Sequence, residues 1–393
     1  MPLSKSMTET GRPDAPNLAD AAAHIRSAYV HIPFCARWCP YCDFAVVEGR
    51  DDSTDRYVRA VVSEIESEPA WGELGAIFFG GGTPSRLAPP LLGSIVEAVA
   101  ERFGVADTAE VTLEANPEDW TEDLASGLVA QGFTRVSFGA QSFDPVVLTA
   151  LGRAHTPDHI VRAVEAARSA GFSSVSLDLI YGTPGESMDS WARTVEKALG
   201  LEPDHLSAYA LTVEPATPLG MQVRRGGAAP DPDLQADMWE RAVAAAESAC
   251  LVRYEVSNFA KPAHACLYNL GVWAQGEYLG FGLGAHGFRD GVRRRNVKRL
   301  DTYVERIESG LGAVQGTEVI EGWAAETERL MLGLRRAAGV TSGAGGEALM
   351  ASDSGKRLVD AGVVGLSGDR LVVTRPLLTD EVVRAVLALG EYP

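Results

Sequence analysis

Between Tyr29 and Pro215 an apolar run rich in β-formers gives way, six times over, to glycine or polar residues and then to a stretch of helical period. The runs are YVHIPF, AIFFGGGTPS (76–85), EVTLEANP (110–117), RVSFGAQSF (135–143), SVSLDLIYGTPG (174–185) and HLSAYALTVEP (205–215). The stretches after them, 52–68, 90–103, 122–131, 161–170, 191–199 and 234–249, repeat apolar residues at helical spacing. Strands and helices in alternation imply right-handed β-α-β units on a parallel sheet. Six units predict an α/β fold, an open or partial barrel. Its glycines and polar residues gather where the strands end, the face on which such barrels carry their active sites.

The first of these ends is the richest in chemistry. Cys35, Cys39 and Cys42 stand in C-x3-C-x2-C spacing, three of the chain's five cysteines within eight residues. Three thiolates hold three irons of a [4Fe-4S] cube and leave the fourth open to a small molecule. Zinc is the rival reading, because His31 lies four residues before Cys35 and would complete a Cys3His set. A disulfide framework is disfavoured by a low, odd cysteine count.

The stretch YVHIPFCARWCPYCDF (29–44) resembles the cluster loop of radical S-adenosylmethionine (SAM) enzymes, in the subgroup that contains oxygen-independent coproporphyrinogen III oxidases and heme chaperones. The resemblance runs from about Ala28 to Leu389. It implies a partial (β/α)6 radical SAM barrel, with Cys35, Cys39 and Cys42 holding a [4Fe-4S] cluster. SAM would chelate the open iron and be cleaved to a 5′-deoxyadenosyl radical. It also implies that Gly81, Gly82 and Thr83 of the GGTP element meet the SAM amino group. Glu114, Gln141, Asp178 and Arg153 match positions that bind the rest of SAM, and Tyr29 and Tyr41 match further cofactor-contacting positions. The oxidases carry another cysteine two residues past the third, where this chain has Phe44. That departure leans the resemblance toward the chaperones, which bind heme and pass it to apo-hemoproteins. An electron donor such as flavodoxin or ferredoxin is then implied. If the chain is instead catalytic, the nearest precedent is oxidative decarboxylation of coproporphyrinogen III in porphyrin biosynthesis, and a diverged radical SAM enzyme acting on another substrate is the further alternative.

Read without the resemblance, Gly80-Gly81-Gly82 makes a tight turn or lets a ligand approach the backbone, and Glu114, Gln141 and Asp178 are polar residues that need partners if buried. In the subgroup a phrase H-N-x-x-Y-W is implicated in heme binding. Here it reads Tyr268-Asn269-Leu270-Gly271-Val272-Trp273, without the His or the Tyr. Tyr268, Cys266 and His264 are the alternatives for an axial ligand. His286, in GLGAHG, is expected in a tight turn lining the cavity.

The chain has 393 residues, with 35 basic against 53 acidic side chains and a net charge of −18. That balance argues against nucleic acid as a partner. The run RRRNVKR (293–299) is its one basic block, read as a solvated connector or as a dock for propionates or an acidic redox protein. Residues 1–20 are polar with no apolar h-region, and no apolar stretch of about 18 residues occurs. These features predict a cytoplasmic protein with no transmembrane segment, peripheral membrane association staying open. The expected domains are a disordered tail (1–25), the barrel with cluster and SAM site (26–290), and a small α+β, winged-helix-like C-terminal domain similar to that of the oxidases (291–393). Residues 215–232, rich in Gly, Ala and Pro, are expected to form a loop or lid.

Overall fold

A computed structural model describes residues 21–390. Its frame is the six-fold alternation: β1 (Ser27–Ile32), β2 (Leu74–Gly81), β3 (Val105–Ala115), β4 (Arg135–Gln141), β5 (Ser174–Tyr181) and β6 (His205–Ala210) lie side by side in chain order, all parallel. The helices α1 (Thr54–Ser67), α2 (Pro89–Phe103), α3 (Glu122–Ala130), α4 (Pro157–Ala170), α5 (Met188–Gly200) and α6 (Pro232–Ser248) follow them in turn. Turn chemistry sets the helix ends. Thr121 Oγ1 accepts from Leu124 N (3.1 Å) at the start of α3, and Gly171, at φ +98°, closes α4.

The strands alternate in a way that builds two different environments. Val30, Ile77, Leu113, Val136, Leu177 and Leu206 join Ile65, Leu92, Leu128, Val164 and Val195 of the helices in one core. Each such side chain contributes about 1.5–3 kcal/mol by burial. Their neighbours at odd spacing point the other way. That inner face carries Tyr29, Phe78, Glu114, Ser137, Asp178 and Ser207, so the barrel is polar inside.

The sheet is longer than six strands. A seventh, β7 (Tyr278–Phe281), pairs parallel with the free side of β1. Antiparallel strands His286–Arg289, Val292–Asn296 and Val314–Val319 continue the same sheet past residue 290. The basic block is therefore a strand and the entry to a helix, Leu300–Glu308, rather than a connector. A separate small core begins at Leu330 and gathers Leu349, Val364, Leu371 and Val382. There the helices Gly322–Gly333, Gly343–Ala351, Asp353–Asp360 and Thr379–Leu387 surround a three-stranded sheet, an α+β unit.

Two local expectations change. Within 215–232, Pro218–Arg224 is helical, and its Leu219 N donates to Pro40 O (2.9 Å) beside the cysteines. The expected tail lies outside the described residues up to position 20. From there Ala22–His24 forms a 3-10 turn, with Ala22 packed against Tyr254, Ala265 and Leu270.

Candidate functional site

The cysteine loop leaves the end of β1 and is closed at its base by a short parallel pairing, Phe34 with Val47 and Cys35 with Glu48. Inside it, Cys42 N donates to Cys39 O (3.1 Å), and Trp38 Nε1 donates to Cys42 O (3.0 Å). All three thiols are free and half-buried. Two donors reach them from elsewhere in the chain: Thr83 Oγ1, just past β2, to Cys35 Sγ at 3.7 Å, and Arg153 Nη1, from the loop before α4, to Cys39 Sγ at 3.5 Å. Donors of this kind support thiolates that ligate a metal. The burial that pushes Cys42 up to about 11 also disfavours bare thiolates there. The donor set fits a cluster better than zinc. Both His31 nitrogens are engaged, Nε2 with Ala45 O (2.8 Å) and Nδ1 with the Tyr29 hydroxyl (3.1 Å), so His31 is no fourth ligand.

The glycines at the end of β2 and just past it have a packing reason. Gly81 adopts φ +109°, and a Cβ there would lie 2.3 Å from the His31 ring; at Gly82 it would lie 2.6 Å from the Pro33 backbone. Their missing side chains let β2 close onto the root of the cysteine loop. Gly82 N then donates to Ile32 O (2.8 Å) and Thr83 N to Phe34 O (2.9 Å), which fixes the loop against the sheet.

Beyond the glycines opens a cleft of about 460 Å³. Glu114 Oε2 accepts from Gly81 N (3.0 Å), and burial, with the charge of Asp178 adding, pushes its carboxyl up to about 7. Asp178 is raised by burial as well, against the pull of hydrogen bonds from Ser207 (2.6 Å) and Ser137 (2.9 Å). Arg153 donates to Asn116 Oδ1 and to Gly139 O (3.2 Å). Gln141 ends β4 at φ +60°, a left-handed conformation uncommon for a side chain of its size.

Cys35, Cys39, Cys42, Tyr41, Gly81, Gly82, Thr83, Glu114, Gln141, Arg153 and Asp178 all line this one cleft. Tyr29 does not. Its ring stacks on Phe78 (6.2 Å) and Tyr268 (5.9 Å) beneath. The cleft also takes in Asn116, Ser137, Tyr209 and Glu214, which sequence reasoning passed over. Period two was the available signal for Ser137, four before Gln141.

The expected heme phrase lies at the other end of the barrel, in the helix Leu267–Trp273. Arg135 Nη1 donates to Ser174 Oγ (2.9 Å) and His264 O (2.8 Å) and faces Glu110 at 3.8 Å. Leu267 N donates to Glu110 Oε1 (2.9 Å), and Ser176, His205 and Tyr254 form a chain with both links at 2.8 Å. Cys266 is fully buried here, and Tyr268 is surrounded by the rings of Tyr29, Phe78 and Tyr278. The segment closes the barrel floor, so Cys266 and Tyr268 are not open axial ligands. His286 also departs from expectation: it is exposed, opens the strand His286–Arg289, and does not line the cleft.

A parallel βα sheet whose first strand runs into a C-x3-C-x2-C loop above a carboxylate-lined cleft defines a radical SAM protein, and the Radical SAM superfamily model matches residues 29–198. Among curated proteins, the heme chaperone HemW of Mycobacterium tuberculosis is 39% identical over 95% of this chain and 98% of its own length. HemW of Bacillus subtilis is 34% identical over 81% and 85%, and HemW of Escherichia coli 38% over 69% and 73%. The chain belongs to the HemW family. Among solved structures, coproporphyrinogen III oxidase (HemN) from Escherichia coli superposes with a TM-score of 0.79 over 98% of this chain and 94% of its own, at 23% identity.

Proposed function

We propose that this chain is a heme chaperone of the radical SAM class, holding a [4Fe-4S] cluster and SAM at the barrel mouth, binding heme, and delivering it to apo-hemoproteins. The observation that carries the reading is the 39% identity to a named heme chaperone along nearly the whole of both chains. The loop sequence agrees with it, since the position after Asp43 is Phe44 and not a further cysteine. In this reading Cys35, Cys39 and Cys42 ligate three irons. When bound, the cluster supplies one electron and an open iron that SAM can chelate.

The chain's own residues do the rest. Thr83 and Arg153 hold the sulfur positions, and the backbone after Gly81 offers polar groups to the SAM amino group. Glu114 and Asp178 accept hydrogen bonds from hydroxyl and amine groups, and Arg153 and Gln141 orient the remaining polar groups. Tyr41, with Ile180 and Leu211, forms a small apolar cluster at the cleft wall that shelters a flat ring from water. The setting is a reducing cytoplasm, with an electron donor such as flavodoxin or ferredoxin. Among the described residues no helix is long and apolar enough to cross a membrane.

Coproporphyrinogen oxidation is the alternative, and the likeness to the oxidase, at 23% identity, supports the fold alone. Anaerobic reconstitution followed by heme titration separates them. Iron and sulfide for one cluster, together with a saturable Soret band, is the expected outcome. A reconstituted chain that decarboxylates coproporphyrinogen III and ignores heme would overturn the chaperone reading.

A further inference from the structure

If the chain binds heme, the family phrase does not supply the ligand, because Cys266 is fully buried and the Tyr268 ring is packed among Tyr29, Phe78 and Tyr278. Four of the chain's seven histidines are also committed. His31 and His205 use both ring nitrogens inside the barrel. His155 Nε2 is bonded to Ala140 O (2.8 Å), and His159 Nδ1 caps a helix at Thr156. His264 is half-buried, with its carbonyl held by Arg135. His24, though exposed, stands on the short turn Ala22–His24 and not on the sheet. His286 differs from all of these: it is exposed on a strand, and no hydrogen bond to its ring is made among the described residues.

The surroundings of His286 suit an anionic ligand. Its register partner across the antiparallel pair is Arg295, so the two side chains share a face; the partner of Arg295 on the next strand is Gly316, and the Arg295 guanidinium lies over it, 3.6 Å from where a Cβ would stand. Arg293, one pair along the same face, is already engaged by Glu328 and Glu318 (3.5 Å) and lies over the Phe288 ring. Arg295 and Lys298 make no ion pair among the described residues, in a chain whose net charge is −18. Partial desolvation of its ring against the strand, and then the charges of Arg295, Arg293 and Lys298, lower the pKa of His286. The neutral imidazole, the form that binds iron, is thereby favoured.

The face adjoins the cysteine loop. A Cβ at Gly284 would lie 3.1 Å from Ala45 and 3.7 Å from Lys298 Cγ, so loop and basic strand meet there. Phe44, next to Ala45, is 61% exposed.

We propose that His286, Arg295 and Lys298 form a surface seat for heme, in which the imidazole of His286 ligates the iron and the two uncommitted cations take the two propionates. The seat rests on the reading of the chain as a heme binder. One imidazole and two charge-assisted contacts orient a flat dianionic macrocycle. An exposed seat also lets the ligand leave, as transfer to another protein requires. An acidic redox partner would find the same cations attractive, but it has no use for a free imidazole, and the histidine decides between the two.

The test is a Soret titration of ferric heme into the reconstituted full-length chain, with iron and sulfide measured beforehand to show that each variant retains its cluster and fold. His286→Ala is expected to weaken heme binding at least about tenfold and to shift the Soret band, with added imidazole restoring the band. Arg295→Gln and Lys298→Gln are each expected to weaken binding several-fold with the band unmoved. Wild-type chain that binds heme with a spectrum and affinity unaltered by His286→Ala overturns the seat alone. Wild-type chain that leaves heme unbound overturns the underlying reading, and the seat with it. If the two cation variants only slow cluster reduction by an acidic donor while heme binding is unchanged, the face is a donor dock and the seat is overturned.

Discussion

At the N-terminal ends of the strands Arg135 and Glu110 lie 3.8 Å apart, 2% and 1% exposed, while Ser174, the His264 carbonyl and Leu267 N supply hydrogen bonds to the pair. At the C-terminal ends Glu114 and Asp178 share a cleft of about 460 Å³ in which Glu114 has one backbone donor and both carboxyls are held above their ordinary range. Both pairs stand on the inner face of the sheet, Glu110 and Glu114 on β3, Arg135 on β4 and Asp178 on β5. The floor is closed by a helix, so its charges are matched internally and serve the fold. The mouth has no such cover, and its polar groups are held ready for a ligand that brings the missing partners.

Removing a thiolate breaks this contrast most severely. Cys39→Ala should abolish cluster assembly, read as iron and sulfide after anaerobic reconstitution, while the urea midpoint of the unreconstituted protein stays where it was, because the ligands sit on a loop outside the core. Insoluble protein would show instead that the mouth is as much a part of the fold as the floor.

The reverse holds at the floor. Arg135→Met leaves Glu110 buried without its cation and should cost about 3–5 kcal/mol in chemical denaturation, with SAM binding by the remaining folded protein unchanged. A loss below about 1 kcal/mol would place the pair in the class of exposed ion pairs and dissolve the distinction.

The smallest effect sharpens the comparison through pH. Glu114 has a folded pKa of about 7 against an ordinary 4.5, so the fold favours its protonated form. Its stabilising contribution is complete below about 4.5 and is lost as pH rises through about 7. Glu64, Glu186 and Glu255 are raised in the same direction, also by burial, so wild-type stability should fall over this window. Glu114→Gln should lessen that fall without removing it. SAM affinity should run the other way in the wild type, rising as the carboxylate forms and accepts hydrogen bonds from hydroxyl groups, and isothermal titration about one unit either side of pH 7 would show it. A slope identical in Glu114→Gln would mean that the mouth carboxyl does not titrate in this range.

Much of the mouth was legible in the sequence. C-x3-C-x2-C is a local spacing, and Gly81, Glu114, Gln141 and Asp178 fall at strand ends that period two and turn residues locate. The structure brings them into one cleft. Tyr29 was assigned to the same cleft and lies below it, because its position in β1 is a full step nearer the floor. Gly81 also has a packing reason that the sequence did not show: the nearest obstacle to a side chain there is the His31 ring, a contact between strands that no local pattern reports.

Tyr268, Cys266 and His286 were the least legible. A short phrase with Tyr, Cys and Trp reads alike whether it faces a ligand or a closed core, and a histidine between glycines reads as a turn. Their surroundings come from Glu110, Arg135 and Arg295, which are between 9 and 158 residues away in the chain.

By itself, then, the sequence determined the βα alternation, the cysteine loop and the polar strand ends, since helical period, strand period and turn preference act over a few residues. Tertiary structure alone decided which end of a polar barrel is filled and which is left open. That choice depends on whether a helix from 267–273 folds back to match the charges at one end, and only contacts between distant segments settle it.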